Sequence, residues 1–243
     1  MKPALVLTGV TKRFGGLQAV QDITAEIASG QITGLIGPNG AGKTTIFRII
    51  SGVMRPTAGH VVFGDREITG WSPHAVCRLG LCLTHQIVRP FPDLTVLENL
   101  LVSASFGSGG RLRHPVGAEA EAVLEFTGLL ARRNVPASVL TLAERKRLEI
   151  ARALATRPSV LLLDEVLAGL NPAESQRAVE LVRQVKARGV TIFMIEHVMR
   201  AVMALSDRVL VINHGRLIAD GPPAHVANLP QVIEAYLGQR LEG

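Results

Sequence analysis

Nothing in this sequence of 243 residues approaches the roughly 18 to 20 consecutive apolar residues that a membrane-crossing helix requires. The N-terminal Met1-Lys2-Pro3-Ala4 runs into a strand-like segment without a secretory pattern. A soluble or peripheral protein is expected. Cysteine is scarce as well: Cys77 and Cys82 make no disulfide framework, and no His/Cys spacing near them points to a metal site. Both read as buried thiols in a reducing compartment. Internal repeats and low-complexity tracts are also missing. What is present, 47% hydrophobic and 19% charged residues, supplies a substantial core and excludes disorder. With 26 Lys and Arg against 20 Asp and Glu, the net charge is +6. That excess favours nucleic acid, an anionic membrane surface or nucleotide, and selects none of them.

The most specific stretch is Gly37-Pro38-Asn39-Gly40-Ala41-Gly42-Lys43-Thr44-Thr45, a full G-x-x-x-x-G-K-[ST] phosphate-binding loop. Ile32–Ile36 before it reads as a buried strand, and the residues from Thr45 to Ile50 read as a helix ending at Ser51-Gly52. The context matters physically. Glycines let backbone N–H groups curl around phosphate oxygens, and the helix presents its unpaired amides and positive dipole end to the anion. Lys43 is expected to reach the β- and γ-phosphates, and the Thr44 hydroxyl to ligate Mg²⁺.

Along the chain, Ala4–Leu7 and Ile23–Ile27 read as strands flanking a Gly15-Gly16 turn, the second alternating as an edge strand. Between them, Phe14 is either a core aromatic or a platform for a nucleobase. Val61–Phe63 and Arg66–Ile68 form a hairpin through Gly64-Asp65. The pattern then turns helical. Thr95 with Glu98 makes a capping box ahead of Leu97, Leu100, Leu101 and Ala104, and Ala120, Val123, Leu124 and Thr127 repeat at helical spacing. A helical insertion over about residues 88 to 150 is expected. Parallel-sheet runs return at Val160–Leu163 and Val190–Ile195, separated by a helix opening at Asn171-Pro172-Ala173-Glu174. Arg208–Ile212 and Arg216–Ala219 finish as a hairpin. Strands alternating with helices around a phosphate loop indicate an α/β core.

Asp164-Glu165 closes a hydrophobic strand. In a strand neighbouring the phosphate loop, Asp164 is placed to hold Mg²⁺ through water, and Glu165 to polarise an attacking water. Gln86 and His197 each lie just past a strand-like run, so four strand ends are expected to converge on the γ-phosphate.

Taken together, these residues resemble the ATP-binding subunit of an ABC transporter over essentially the whole chain. The resemblance implies a P-loop NTPase core with an N-terminal antiparallel β subdomain and a helical insertion. On that reading residues 1–87 and 151–222 form the ATP-binding core, 88–150 the helical subdomain, and 223–243 a C-terminal helical tail. It assigns Gln86 as the lid glutamine and a further Mg²⁺ contact, Ala168-Gly169-Leu170-Asn171 as the D-loop, and His197 as the switch histidine. It also places Phe14 on adenine.

The family further implies two ATP molecules sandwiched in a head-to-tail dimer that drives permease subunits from the cytoplasmic face of the inner membrane. A binding protein engages that assembly only indirectly, and no nucleic acid partner is expected. The signature motif departs from the L-S-G-G-Q pattern. It appears as Leu140, Thr141, Leu142, Ala143 and Glu144, with a methyl at Ala143 where glycine permits close approach to phosphate. A weakened signature half-site is therefore expected. The following Arg145-Lys146-Arg147 reads as a solvated helix face or as a partner or lipid contact.

Phe14–Val20, Arg147–Arg152, Ala168–Pro172, Ile195–His197 and the tail Val232–Gly238 resemble the branched-chain amino acid importer group, which includes urea and aromatic-acid relatives and whose two ATPase subunits differ. The alternatives are a lipopolysaccharide-extraction ATPase, a non-transport ATPase on DNA or the ribosome, and a nucleotide-binding regulator with little hydrolysis.

Overall fold

A computed structural model describes residues 2–84, 90–107 and 116–237. Two sheets organise them. The first is antiparallel in the order β2-β1-β4-β5, from β1 (Pro3–Phe14), β2 (Leu17–Ala28), β4 (Ala58–Phe63) and β5 (Arg66–Glu67). The second runs β10-β9-β3-β8-β7-β6. It is built from β3 (Ile32–Ile36), β6 (Leu81–Leu83), β7 (Val160–Asp164), β8 (Thr191–Ile195), β9 (Arg208–Asn213) and β10 (Arg216–Gly221). Only β10 pairs antiparallel within it. The edge position expected for the second strand holds. Both members of the first hairpin are longer than their hydrophobic runs, because inter-strand hydrogen bonding continues to the Phe14–Leu17 pair.

Strand alternation decides which layer each residue joins. On β7, β8 and β9, Leu162, Phe193, Ile195, Leu210 and Ile212 face the antiparallel sheet. Helix α1 (Lys43–Ile50) lies between the sheets, burying Ile46, Phe47, Ile49 and Ile50. The Phe47 and Phe193 ring centroids are 4.9 Å apart. The intervening residues Leu161, Leu163, Ile192, Met194, Val209 and Val211 face the other way. There they pack on α6 (Pro172–Ala187) and α7 (Met199–Leu205) through Leu181, Val182, Val185 and Val202.

Helix α2 (Pro73–Leu79) leads into β6. A third cluster joins α3 (Val96–Phe106), α4 (Val116–Phe126) and α5 (Leu142–Ala155) through Val96, Leu100, Leu124, Leu148 and Ala151. Helix α5 runs unbroken through position 150, beyond the boundary suggested by the hydrophobic pattern, and Ile150 and Ala153 join the core of the large sheet. Helices α8 (Pro223–Val226) and α9 (Pro230–Leu237) close the described chain. Capping boxes form at Thr95/Glu98, Thr141/Glu144 and Asn171/Glu174. Cys77 and Cys82 are free and only half-buried, because Cys77 lies on the partly exposed α2. No helix among the described residues is long and apolar enough to cross a membrane.

Candidate functional site

The phosphate loop joins β3 to α1, and its backbone demands glycine at two points. Gly37 has φ 151°, and a Cβ there would lie 2.0 Å from the Ile212 carbonyl oxygen. Gly42, the residue before α1, has φ 105°, and its Cβ would lie 2.5 Å from the Ala19 carbonyl oxygen. The loop is thus wedged between β9 and the antiparallel sheet. Lys43 is buried, and its ammonium donates to the carbonyls of Gly37 (2.7 Å) and Pro38 (2.9 Å). Burial lowers its pKa, while Glu165 and Asp164 act in the opposite direction. Thr44 and Thr45 are half-buried in the first turn of α1, whereas Asn39 and Gly40 are exposed.

Strand β8 lies between β3 and β7, so the strand carrying Asp164 is one strand removed from the loop strand. Two buried parallel strands look alike in sequence, and only pairing decides their order. Asp164 is nevertheless within electrostatic reach of Lys43. It is buried at the end of β7, where its N–H donates to the Thr84 hydroxyl at 3.2 Å. Glu165 follows with φ 52°. A left-handed non-glycine residue stores on the order of 1–3 kcal/mol and persists only when its surroundings over-determine it. Here the Glu165 N–H donates to the Ile195 carbonyl (2.9 Å), and its carboxylate lies 2.7 Å from Nε2 of His197, one residue beyond Glu196 and two beyond β8.

Phe14 is the last residue of β1 rather than part of a loop, and 45% of it is exposed, with the Lys12 ammonium 5.2 Å from the ring centroid. The core alternative is thereby excluded. Gln86 lies outside the described residues. In the signature segment, Thr141 caps α5, with its hydroxyl accepting the Glu144 N–H and the Glu144 carboxylate accepting the Thr141 N–H. Arg132 adds a 3.0 Å contact to Glu144. Leu142 is exposed and borders Gly169, where a Cβ would lie 3.0 Å from Leu142 Cδ2. Ala143 is half-buried in the first turn.

Three buried ionisable residues, Lys146, Glu149 and Glu196, escaped the sequence reading, and two of them bond the turn that carries Glu165. Lys146, assigned to a solvated face, is only 6% exposed, and its ammonium donates to the Glu165 carbonyl at 2.8 Å. Burial depresses its pKa against the pull of Glu196 and Glu165. Glu196 is 2% exposed and accepts the Leu167 N–H at 2.9 Å; burial raises its pKa to about 7. The available signals were Lys146 in helical register with buried Ile150 and Ala153, and Glu196 directly following a fully buried strand.

A glycine-shaped phosphate loop at a helix N-terminus, with Asp-Glu ending one parallel strand and a histidine from another touching that glutamate, defines a P-loop nucleotide hydrolase. The family model described as ABC transporter matches residues 20–168, and that described as Branched-chain amino acid ATP-binding cassette transporter matches residues 216–241. The high-affinity branched-chain amino acid transport ATP-binding protein LivG of Salmonella typhimurium (strain LT2) is 42% identical, over 98% of this chain and 99% of its own. The corresponding protein BraF of Pseudomonas aeruginosa is 40% identical, again over 98% and 99%. The crystal structure of an ATP-binding cassette of an ABC transporter in its ADP conformation superposes with a TM-score of 0.90 at 30% identity, covering 98% of this chain and 100% of that one. The chain belongs to the ABC transporter family and is an ATPase of its nucleotide-binding subunit type.

Proposed function

We propose that this subunit hydrolyses ATP to power an importer of branched-chain amino acids or closely related small solutes. The observation that carries the hydrolytic reading is the 2.7 Å contact between Glu165 and His197, formed from two strand ends of the sheet that also holds the phosphate loop. The match of residues 216–241 to the branched-chain amino acid cassette model supports the choice of cargo.

In this reading the amides of residues 37–45 and the Lys43 ammonium bind the triphosphate, and the exposed Phe14 ring stacks on the base. His197 orients the Glu165 carboxylate, which polarises the attacking water. Among the described residues no group of three or more His, Cys, Asp or Glu forms a cation cage. The Thr44 hydroxyl and the buried Asp164 carboxylate fit Mg²⁺, which takes few protein oxygens and completes its shell with phosphate and water. Thr44 and Asp164, with Gln86, would hold that ion, and it would neutralise charge on the β- and γ-phosphates.

The partners are a second ATP-binding subunit, alike or different, in a head-to-tail dimer, and permease subunits at the cytoplasmic face of the membrane. Thr141, Leu142, Ala143 and Glu144 then address the nucleotide of the partner subunit. The functional units are the core (1–87 and 151–222), the helical insertion (88–150) and the tail (223–243).

Reconstituted with its cognate permease and receptor, the wild-type chain is expected to couple leucine uptake to ATP turnover. Glu165→Gln should bind ATP and lose turnover by at least 100-fold, and Lys43→Ala should lose both. Uptake that survives Lys43→Ala would overturn the assignment.

A further inference from the structure

The short turn after β7 is held by more side chains than the hydrolytic reading uses. It must keep Glu165 in a left-handed conformation that glycine adopts freely and glutamate does not. Backbone bonding supplies part of the restraint, through the Glu165 N–H to Ile195 and the Ala168 N–H to the Glu165 carbonyl at 3.3 Å. The rest comes from two buried charged residues on different elements. Lys146, on α5, donates to the Glu165 carbonyl. Glu196, between β8 and α7, accepts the Leu167 N–H two residues further along. The two bonds grip opposite ends of one turn.

Through these contacts both side chains bind backbone groups of the turn rather than other side chains. Each is costly where it stands, because an ammonium or carboxylate withdrawn from water loses hydration that an apolar side chain of equal size would not forfeit. Hydrophobic residues at both positions would fill the space without fixing the turn.

We propose that Lys146 and Glu196 are positioning residues that hold Glu165 in its left-handed conformation and so keep its carboxylate on His197, between the phosphate loop and the end of β7. This rests on the assignment of Glu165 as the group that polarises water. The restraint is geometric: the Glu165 N–H is held by Ile195 and its carbonyl by Lys146, on either side of its φ, while the Glu196 bond to the Leu167 amide keeps the following residue from relaxing the turn.

The test is steady-state and single-turnover ATP hydrolysis by the chain assembled with its cognate subunits, together with MgATP affinity. Lys146→Met should keep the Kd for MgATP within about twofold while kcat falls at least tenfold, because the phosphate loop is untouched. Lys146→Arg, which retains a donor, should recover most of the loss. In a Glu165→Gln background, adding Lys146→Met should cost less than twofold more, since its effect passes through the missing carboxylate.

Glu196→Leu should lower kcat similarly, and Glu196→Gln, which retains an acceptor for the Leu167 N–H, should restore most of it. This second pair decides the question if Lys146→Met does not fold. Equal losses in the wild-type and Glu165→Gln backgrounds, or Kd rising in step with falling kcat, would overturn the positioning role. So would equal activity of Glu196→Leu and Glu196→Gln. If Glu165→Gln itself hydrolyses normally, the hydrolytic assignment fails instead, so the two failures are told apart.

Discussion

At Gly37 a single methyl group decides whether the phosphate loop can exist. Because a Cβ there would lie 2.0 Å from the Ile212 backbone oxygen, relief requires moving β9 or the loop itself. Gly37→Ala is expected to abolish ATP binding in a calorimetric titration while the far-ultraviolet circular dichroism changes little. Glu196 supplies a different prediction. Burial raises its folded pKa from 4.5 to about 7, so its contribution to stability is fully present below about pH 4.5 and is lost as the pH rises through about 7. Replacing it with Gln removes the charge and retains the acceptor for Leu167. The melting temperature of Glu196→Gln relative to wild type should therefore rise between pH 4.5 and 7 and level off above, as read by thermal denaturation across that range. A flat difference would show that Glu196 is not buried as described. The juxtaposition of Lys43, Asp164, Glu165 and His197 was legible in the sequence because each lies in the phosphate loop or at or just past the end of an apolar strand. Lys146 and Glu196 were not, because their roles depend on which backbone atoms face them across the fold.

Among the elements, the helix starts were the most readable features. A hydroxyl or amide three residues ahead of a glutamate satisfies two otherwise unpaired backbone donors, and this local arrangement forms at Thr95, Thr141 and Asn171. Thr141→Ala should cost about 1 kcal/mol in urea unfolding, the usual value of a cap. Its effect on turnover should exceed that of Asn171→Ala, which removes a cap of the same kind from α6, because α5 also carries Lys146 to the Glu165 carbonyl. Ala143 lies in the first turn of α5, and the proposed signature half-site predicts that its methyl restricts approach to the helix N-terminus. Ala143→Gly in the assembled transporter is expected to raise ATP turnover severalfold at saturating ATP, although glycine weakens the helix by roughly 0.5–1 kcal/mol. Unchanged or lower turnover would show that the methyl does not limit the signature half-site. The approach of Leu142 to Gly169 was not legible, since it brings the first residue of α5 against a loop 27 positions away that no local pattern relates.

For the molecule as a whole, the antiparallel and parallel sheets meet through α1, and Phe47 against Phe193 stands in that interface with both rings fully buried. Phe47→Ala should destabilise the protein by about 3–5 kcal/mol, the range for deleting a buried aromatic. It should also weaken ATP binding, because α1 carries Lys43 and Thr44; chemical denaturation and nucleotide titration of the same variant check both. The sequence by itself determined the phosphate loop, the Asp-Glu strand end, the helix caps and the alternation of apolar residues, because each arises from interactions within a few residues. Only the tertiary structure decided that β8 separates β3 from β7, that Phe14 is exposed, and that Lys146 and Glu196 are buried around the Glu165 turn. Those outcomes depend on pairing and packing between segments distant in the chain, and the residues involved carry no local preference that distinguishes one partner from another.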